Sequence, residues 1–359
     1  MPKLDWLLLV AALFLVSLGL LVLFSVAPEQ LYRQIGFALL GFVLFFLLNR
    51  TDYRLWQPLY RWLYGLSLGL LLLTWFFGHT SRGATRWLAL GSSWQIQTAE
   101  IIKPLLILAL AGWLTRVSAW KLKPILSLLI GLLVPLILVF KQPDLGSSLI
   151  ILGTGLGQLF AGGFPVFLML IASIGLSIST PLLWHLLQDY QRLRLFTFLN
   201  PQADPLKTGY NAIQAMIAVG SGQLWGRGLG HGTQSHLKFL PERHTDFIFA
   251  SLSEELGFAG ALLVLILFLI LMARILLIAR SAPDRFGYLV CIGVFASLFT
   301  QIFINLGMNL GLTPITGITL PFLSSGGSSL LATFISLGLV ASVAARARPP
   351  LPLQIRSIL

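Results

Sequence analysis

The stretch from His231 to Gly260 reads HGTQSHLKFLPERHTDFIFASLSEELGFAG. A polar loop with three histidines and an arginine runs straight into a long apolar segment, and Asp246 sits at the joint. Glu254 and Glu255 follow inside the apolar segment itself. A carboxylate at membrane depth is costly and marks a candidate functional group. The segment reads as a membrane-spanning helix entered from a polar surface, and the rest of the chain repeats that pattern.

The 359 residues are 57% hydrophobic and only 10% charged, where a soluble domain carries about 25% charged residues. Apolar runs near 20 residues recur from end to end, each long enough to cross a hydrocarbon core of ~30 Å. The alternating ~10-residue segments of a β-barrel are not evident. These features predict an all-α polytopic membrane protein of one domain over residues 1–359. About ten transmembrane helices are expected, at roughly 6–26, 32–49, 60–77, 99–115, 124–140, 145–161, 164–184, 247–273, 286–307 and 319–343. Lys3 precedes the first run, and Ser25-Val26-Ala27 mimics a signal-peptidase site. A signal h-region is only ~7–15 residues, so this run reads as a retained first helix. The tail from Pro349 to Leu359 reads as a short mobile end.

The net charge is +12. Short loops rich in Lys and Arg set membrane topology and touch anionic head groups, and this explains the excess better than nucleic acid does. With the N-terminus in the cytoplasm, the cytoplasmic segments hold Lys3, Arg50, Arg54, Arg61, Arg116, Lys121, Lys123, Arg274, Arg280, Arg285, Arg346, Arg348 and Arg356. Only Asp5, Asp52 and Asp284 are acidic there. The opposite face has Arg33, Arg82, Arg86, Lys103 and Lys141 in or beside its short connections and takes the remaining acidic residues. Both termini are then cytoplasmic, and the long segments 78–98 and 185–245 are extracytoplasmic. Cys291 is the only cysteine, which excludes an intrachain disulfide and a Cys-cluster metal site.

A structureless loop as long as 185–245 is unexpected in a compact domain, so this loop, between spans seven and eight, is expected to have its own structure. Asn211 to Val219 fits a short amphipathic helix at the interface, and Trp225 suits the same depth. Glycines 220, 222, 226, 228, 230 and 232 do not make a nucleotide loop, which needs a preceding strand and a following helix. They read as a tight turn region.

Four sites carry polar chemistry. Glu100 and Lys103 are three apart at the start of the fourth span and share a helix face, as a local ion pair or as part of a site that also takes Arg86 and Asp144. Asp144 opens the sixth span and is most simply a helix cap. Gly307 to Ser329 reads GMNLGLTPITGITLPFLSSGGSS. Broken backbone at membrane depth survives only against protein or a water-filled cavity, and Thr316, Ser324, Ser325, Ser328 and Ser329 could line one. Asp246 is a first-turn aspartate favoured by the helix dipole or a functional carboxylate after Glu242, Arg243 and His244. In helical geometry Ser253 and Gly257 would share its face, while Glu255 would point away as a buried acid paired to arginine or backbone. A transporter, a lipid-handling enzyme and an assembly scaffold all fit these features.

Several stretches together resemble the SEDS family (shape, elongation, division, sporulation), its rod-shape branch more than its division branch. They are GATRW (83–87), QTAEIIK (97–103), QPDLGSS (142–148), the Asn200-Pro201 and Asp204-Pro205 pairs, GYNAIQAMIAVGSGQLWGRGLGHGTQ (209–234), FLPERHTDFIFASLSEELGF (239–258) and 307–329. Thr98-Ala99 stands where the family usually has Pro-Ser, and Ser325 where it usually has Tyr. The resemblance implies a peptidoglycan glycosyltransferase that polymerises lipid II at the outer face of the bacterial inner membrane, beside a class B penicillin-binding protein. It implies Asp246 as general base, with Arg86, Lys103, Arg192 and Arg243 as cations for the departing pyrophosphate. Glu100 and Asp144 would orient them, and His244, Ser324 and Ser325 would contact substrate. A divalent cation, Mg or Mn, is a further expectation of that chemistry. A lipid II flippase and a non-catalytic scaffold of the cell-wall machinery are the alternatives.

Overall fold

The structure, a computed structural model, describes residues 4–81, 84–90, 94–117, 120–179, 184–185, 187, 189–203, 209–237 and 239–347. Lys3, Arg82, Gly83, the Asp204-Pro205 pair, Arg348, Arg356 and the tail from Pro349 lie outside them.

Ten helices follow the expected spans: α1 (Trp6–Val26), α2 (Pro28–Arg50), α3 (Tyr60–Phe77), α4 (Thr98–Leu114), α5 (Leu122–Lys141), α6 (Leu145–Ala161), α7 (Val166–Ile178), then, after two short helices, α10 (Ile248–Arg280), α11 (Arg285–Asn309) and α12 (Gly327–Ala345). The two short helices, α8 (Asp189–Leu199) and α9 (Tyr210–Ser221), lie in the long loop, and α9 is the expected amphipathic helix, with Ala212, Ala215 and Ala218 buried. Six of the ten, α1, α2, α5, α10, α11 and α12, are long and apolar enough to cross a membrane by themselves. Three helix ends differ clearly from expectation. α7 ends at Ile178 rather than near 184, α10 runs on to Arg280 rather than 273, and α12 starts at Gly327 rather than 319, because residues 319–326 are non-helical.

The bundle is all-α, with one addition that hydropathy did not reveal. Residues 79–97 form a three-stranded antiparallel sheet, β1 (His79–Ser81), β2 (Ala84–Leu90) and β3 (Trp94–Gln97), with Trp87 opposite Gln97 and Leu88 opposite Ile96. The sheet joins α3 to α4 at the end of the bundle that also carries the long loop. The centre is α4, α11 and α12: nearly every residue of α4 is buried, as is 78% of the most apolar stretch of α12 against 28% for α5. α2 packs along α12 through rings, with Phe42 and Phe334 centroids 4.6 Å apart and Phe322 edge-on to Phe334 at 5.4 Å.

α10 is broken where the sequence predicts continuous helix. Gly257 has φ +67° and ψ −165°, a conformation glycine alone takes readily. The break frees the carbonyls of Glu254 and Glu255 and the N–H groups of Phe258 and Ala259. The glycine-rich loop closes all four: Arg227 N donates to Glu254 O (2.9 Å), Gly228 N to Glu255 O (3.0 Å), Phe258 N to Gln223 O (2.8 Å) and Ala259 N to Leu224 O (3.1 Å). Each of these groups, left unmet at membrane depth, would cost several kcal/mol. Ser253 and Gly257 therefore meet the 222–226 backbone and do not border a cavity, contrary to the helical extrapolation.

The two buried glutamates serve the same joint. Glu254 accepts from Gln234 N (2.8 Å) and Ser235 N (3.1 Å), capping the helical turn Thr233–His236. Glu255 accepts from Ser25 Oγ (2.5 Å) and Gly230 N (3.3 Å) and lies 2.9 Å from His236 Nε2. Its ionisable partner is a histidine, where an arginine was one expectation.

At the other end, Arg274 pairs with Asp5, the N-cap of α1, at 2.6 Å. Asp284 caps α11 through Gly287 N and accepts from Tyr53 Oη (2.6 Å) and Arg54 Nε (2.8 Å). Burial opposes the Asp284 carboxylate, but the Gly287 N–H, the Tyr53 hydroxyl and the Arg54 guanidinium outweigh it and hold its pKa below the usual value. Burial, and then the hydrogen bond to Asp284, push Tyr53 up.

Candidate active site

Asp246 lies two residues ahead of α10, in the turn 241–247. Glu242 has φ +53°, uncommon for a side-chain-bearing residue. Its carbonyl accepts from both Thr245 N (3.1 Å) and Phe247 N (3.2 Å), which holds that conformation. Arg243 O accepts from Ser251 Oγ (3.2 Å), and the three carbonyls after it are each pinned from outside the turn. His244 O accepts from Ser325 N (2.9 Å), Thr245 O from Ser324 Oγ (2.6 Å), and Asp246 O from Asn305 Nδ2 (3.0 Å) and Asn309 Nδ2 (3.1 Å). Asn305 and Asn309 are fully buried on α11, and Asn305 also donates to Ile318 O at 2.6 Å. The aspartate thus stands on a backbone shelf fixed to α11 and to the 317–326 segment, which is the preorganisation a reacting group needs. Gly317, beside the carboxylate, has φ +75°, a backbone conformation that favours glycine.

Asp246 faces a cavity of about 660 Å³. One wall is the start of α2, with Arg33, Gln34 and Phe37; a second is the sheet, with Arg86, Trp87 and Gln97; Arg194 of α8 reaches it too. The turn adds Glu242 and His244, and the broken segment adds Thr319, Ser325, Ser328 and Ser329. Arginines thus come from three separate elements.

Of the residues singled out in the sequence, Arg86, His244, Asp246, Ser325, Ser328 and Ser329 line this cavity. Asp144 stands behind it. It caps α6 through Ser147 N (3.0 Å), as expected, and also accepts from Gln97 Nε2 (3.0 Å). Arg86 Nη1 lies 3.9 Å from it, and Arg86 Nη2 donates to Pro143 O, so Asp144 and its neighbour steer Arg86. Glu100 and Lys103 form a buried pair, 2.7 Å apart, one layer beneath the floor. Lys103 Nζ donates to Gln301 Oε1 (3.0 Å), and Gln301 Nε2 donates to Thr319 O (2.9 Å) and Ser329 Oγ (3.3 Å). Lys103 therefore reaches the cavity only through Gln301.

Ser324 and Thr316 are buried outside the cavity lining, Ser324 spent on Thr245 O and Leu320 N. Arg192 donates to Trp184 O and His185 O, and Arg243 to Val26 O (3.1 Å). Neither lines the cavity. Beside Arg86, two further arginines line it, Arg33 and Arg194, and these were not singled out as site residues. Arg194 is two residues from Arg192 on α8, and such neighbours point to different helix faces. Arg33 was visible only as a basic residue near the second span.

Fold and cavity together define a polytopic α-helical membrane protein with a cationic, carboxylate-bearing site at one end of its bundle. Residues 4–349 match the FTSW_RODA_SPOVE cell cycle protein model, and the chain belongs to that family. It is 39% identical over 345 residues to the peptidoglycan glycosyltransferase MrdB of Escherichia coli (strain K12), covering 95% of this chain and 93% of that protein. It is 36% identical over 371 residues to stage V sporulation protein E of Bacillus subtilis (strain 168), covering 96% and 98%. Among solved structures it is similar to a chain of a peptidoglycan synthase complex in which polymerization and crosslinking are coordinated, with a TM-score of 0.84, 34% identity and coverage of 96% and 98%. It is also similar to the Rod shape determining protein RodA of Thermus thermophilus, with a TM-score of 0.74, 32% identity and coverage of 97% and 98%.

Proposed function

We propose that this chain is a peptidoglycan glycosyltransferase that polymerises lipid II at the outer face of the bacterial inner membrane, with Asp246 as general base. The observation that carries this reading is one cavity holding a rigidly mounted carboxylate opposite Arg33, Arg86 and Arg194. The reaction needs that pairing. A sugar 4-hydroxyl gives its proton to a carboxylate while its oxygen bonds to the anomeric carbon of the donor. The anomeric C–O bond to a prenyl pyrophosphate breaks, and the electron pair leaves with the pyrophosphate. The leaving group departs as an anion, so one base is needed and no general acid, unlike the two-carboxylate scheme of glycosidases. Arginine suits the phosphoryl oxygens by its planar fork of donors. Fixed cations aimed at developing charge stabilise it with little reorganisation.

Among the described residues no group of three metal-ligating side chains comes together. A Mg or Mn ion fits this donor set only as a guest of the substrate, held by pyrophosphate oxygens and one cavity carboxylate such as Glu242, where it would neutralise leaving-group charge. The partner in this reading is a class B penicillin-binding protein that cross-links the product. The similar complex, which couples polymerization to crosslinking, supports it.

The purified chain with such a partner, given lipid II in detergent, should make glycan strands. Detergent has no second leaflet, so the absence of strands together with lipid II transfer in vesicles would replace this reading with a flippase.

The orientation in this reading places both termini in the cytoplasm and the cavity outside, as the lysine and arginine bias indicates. A cysteine introduced at Gln202, in the helical turn Pro201–Ala203 after α8, should react with an impermeant thiol reagent added from outside. Labelling only after permeabilisation would overturn the orientation and the assignment of the cavity with it.

A further inference from the structure

Beside the first cavity lies a second, of about 580 Å³. Its walls are mostly apolar: Phe198 and Pro201 after the start of α8, Ala212 and Met216 of α9, Met308 at the end of α11, and Ile315 in the turn beyond. Arg194 lines both cavities. One face of it therefore adjoins the chamber with Asp246, Arg33 and Arg86, and the other adjoins a chamber fit for hydrocarbon. Leu193 of its lining is exposed, as are Phe196, next to Thr197, and Leu310 and Leu312, on either side of Gly311, Leu312 by 69%. Among the described residues, no part of the proposed base or its hydrogen-bonded shelf uses this second cavity.

We infer that the second cavity binds the first isoprene units of a polyprenyl pyrophosphate-linked sugar, with Arg194 at the junction holding the pyrophosphate. The inference rests on the glycosyltransferase reading, and it assigns the place where one lipid substrate leaves the reaction chamber for the bilayer. A molecule of this class is an anionic pyrophosphate with a long apolar chain bonded directly to it. A chamber carrying arginines and carboxylates beside a mostly apolar one, the two sharing Arg194, matches that sequence of groups. The additional arginines on the polar side favour a diphosphate over the single phosphate of a phospholipid, because each adds charge-assisted hydrogen bonds. A pocket of several hundred Å³ takes a ligand of drug size, so it holds only the first units of the chain. The rest would pass over the exposed leucines and Phe196 into lipid.

The test uses the full chain in nanodiscs and a polyprenyl pyrophosphate carrying a diazirine on its first isoprene units, with no second substrate, so that binding is read without polymerisation. The probe should crosslink to peptides holding 211–216 and 308–315, and unlabelled polyprenyl pyrophosphate should displace it at least tenfold better than phosphatidylglycerol does. Arg194→Gln should weaken the labelling. Met216→Trp should narrow the chamber, lower labelling about tenfold and raise KM for lipid II more than it lowers kcat. Displacement by phosphatidylglycerol at equal concentration would identify a general lipid groove and overturn the inference. Crosslinks elsewhere, with Met216→Trp unchanged in labelling and KM, would overturn it as well. Labelling here by a protein that makes no glycan would refute the glycosyltransferase reading and leave the binding site standing. Glycan synthesis with labelling elsewhere would do the reverse.

Discussion

Asp246→Asn is expected to fold, to bind its partner and lipid II, and to lose about 10²–10⁴-fold in polymerisation rate, the usual cost of a missing general base. Asparagine is nearly the same shape and still accepts hydrogen bonds, but it cannot take a proton. The carbonyls of His244, Thr245 and Asp246 are held by Ser325, Ser324, Asn305 and Asn309, and none of those bonds involves the Asp246 carboxylate. The substituted side chain should stand where the carboxylate stood. The loss should therefore appear in kcat, with the melting temperature close to that of the parent. Near-normal strand synthesis would sink the assignment. The next candidate would then be Glu242, the other carboxylate lining the cavity, since Glu100 is buried beneath it and Asp144 is committed to its cap.

Lys103→Ala should be the most destabilising single change at the site. Glu100 and Lys103 are each 5% exposed and lie 2.7 Å apart. Removing one partner of a buried pair leaves an uncompensated charge and costs about 3–5 kcal/mol, readable as a large fall in melting temperature in detergent. A Glu100→Gln, Lys103→Met double variant removes both charges at similar volume and should recover most of that loss. It should still polymerise at least tenfold more slowly. The ammonium fixes the Gln301 amide with its oxygen toward Lys103 and its NH₂ toward Thr319 and Ser329 on the cavity floor, and the neutral pair no longer imposes that orientation. A stable double variant with full activity would reduce the pair to a structural role. An unchanged melting temperature for Lys103→Ala would contradict the buried geometry itself.

Much of the outer-loop architecture was visible in the chain. The amphipathic run at 211–219 is a helix, the glycine-rich loop is a tight packed segment, and Asp144 is a cap. The miss at Gly257 has a physical cause. Extending α10 as one helix assumes that backbone groups bond within the helix, but the 222–228 loop supplies substitute partners, so the helix can break at no loss of hydrogen bonds. Ser253 then meets that loop instead of a cavity. The sheet at 79–97 was missed because three short strands carry little hydropathy signal.

The sequence by itself determined the order and approximate place of the ten bundle helices and the residue at the head of α10. In lipid each backbone group must be satisfied inside the protein, and an unbroken helix does so within its own segment, so the apolar helices are legible from local sequence. Which cations share a chamber with Asp246 was decided by tertiary structure alone. Arg33, Arg86 and Arg194 converge from α2, the sheet and α8, while Arg192 and Arg243 are held by backbone carbonyls elsewhere. That choice depends on the rotation of helices about their axes and on loops folded over their ends, and both are set by packing between segments far apart in the chain.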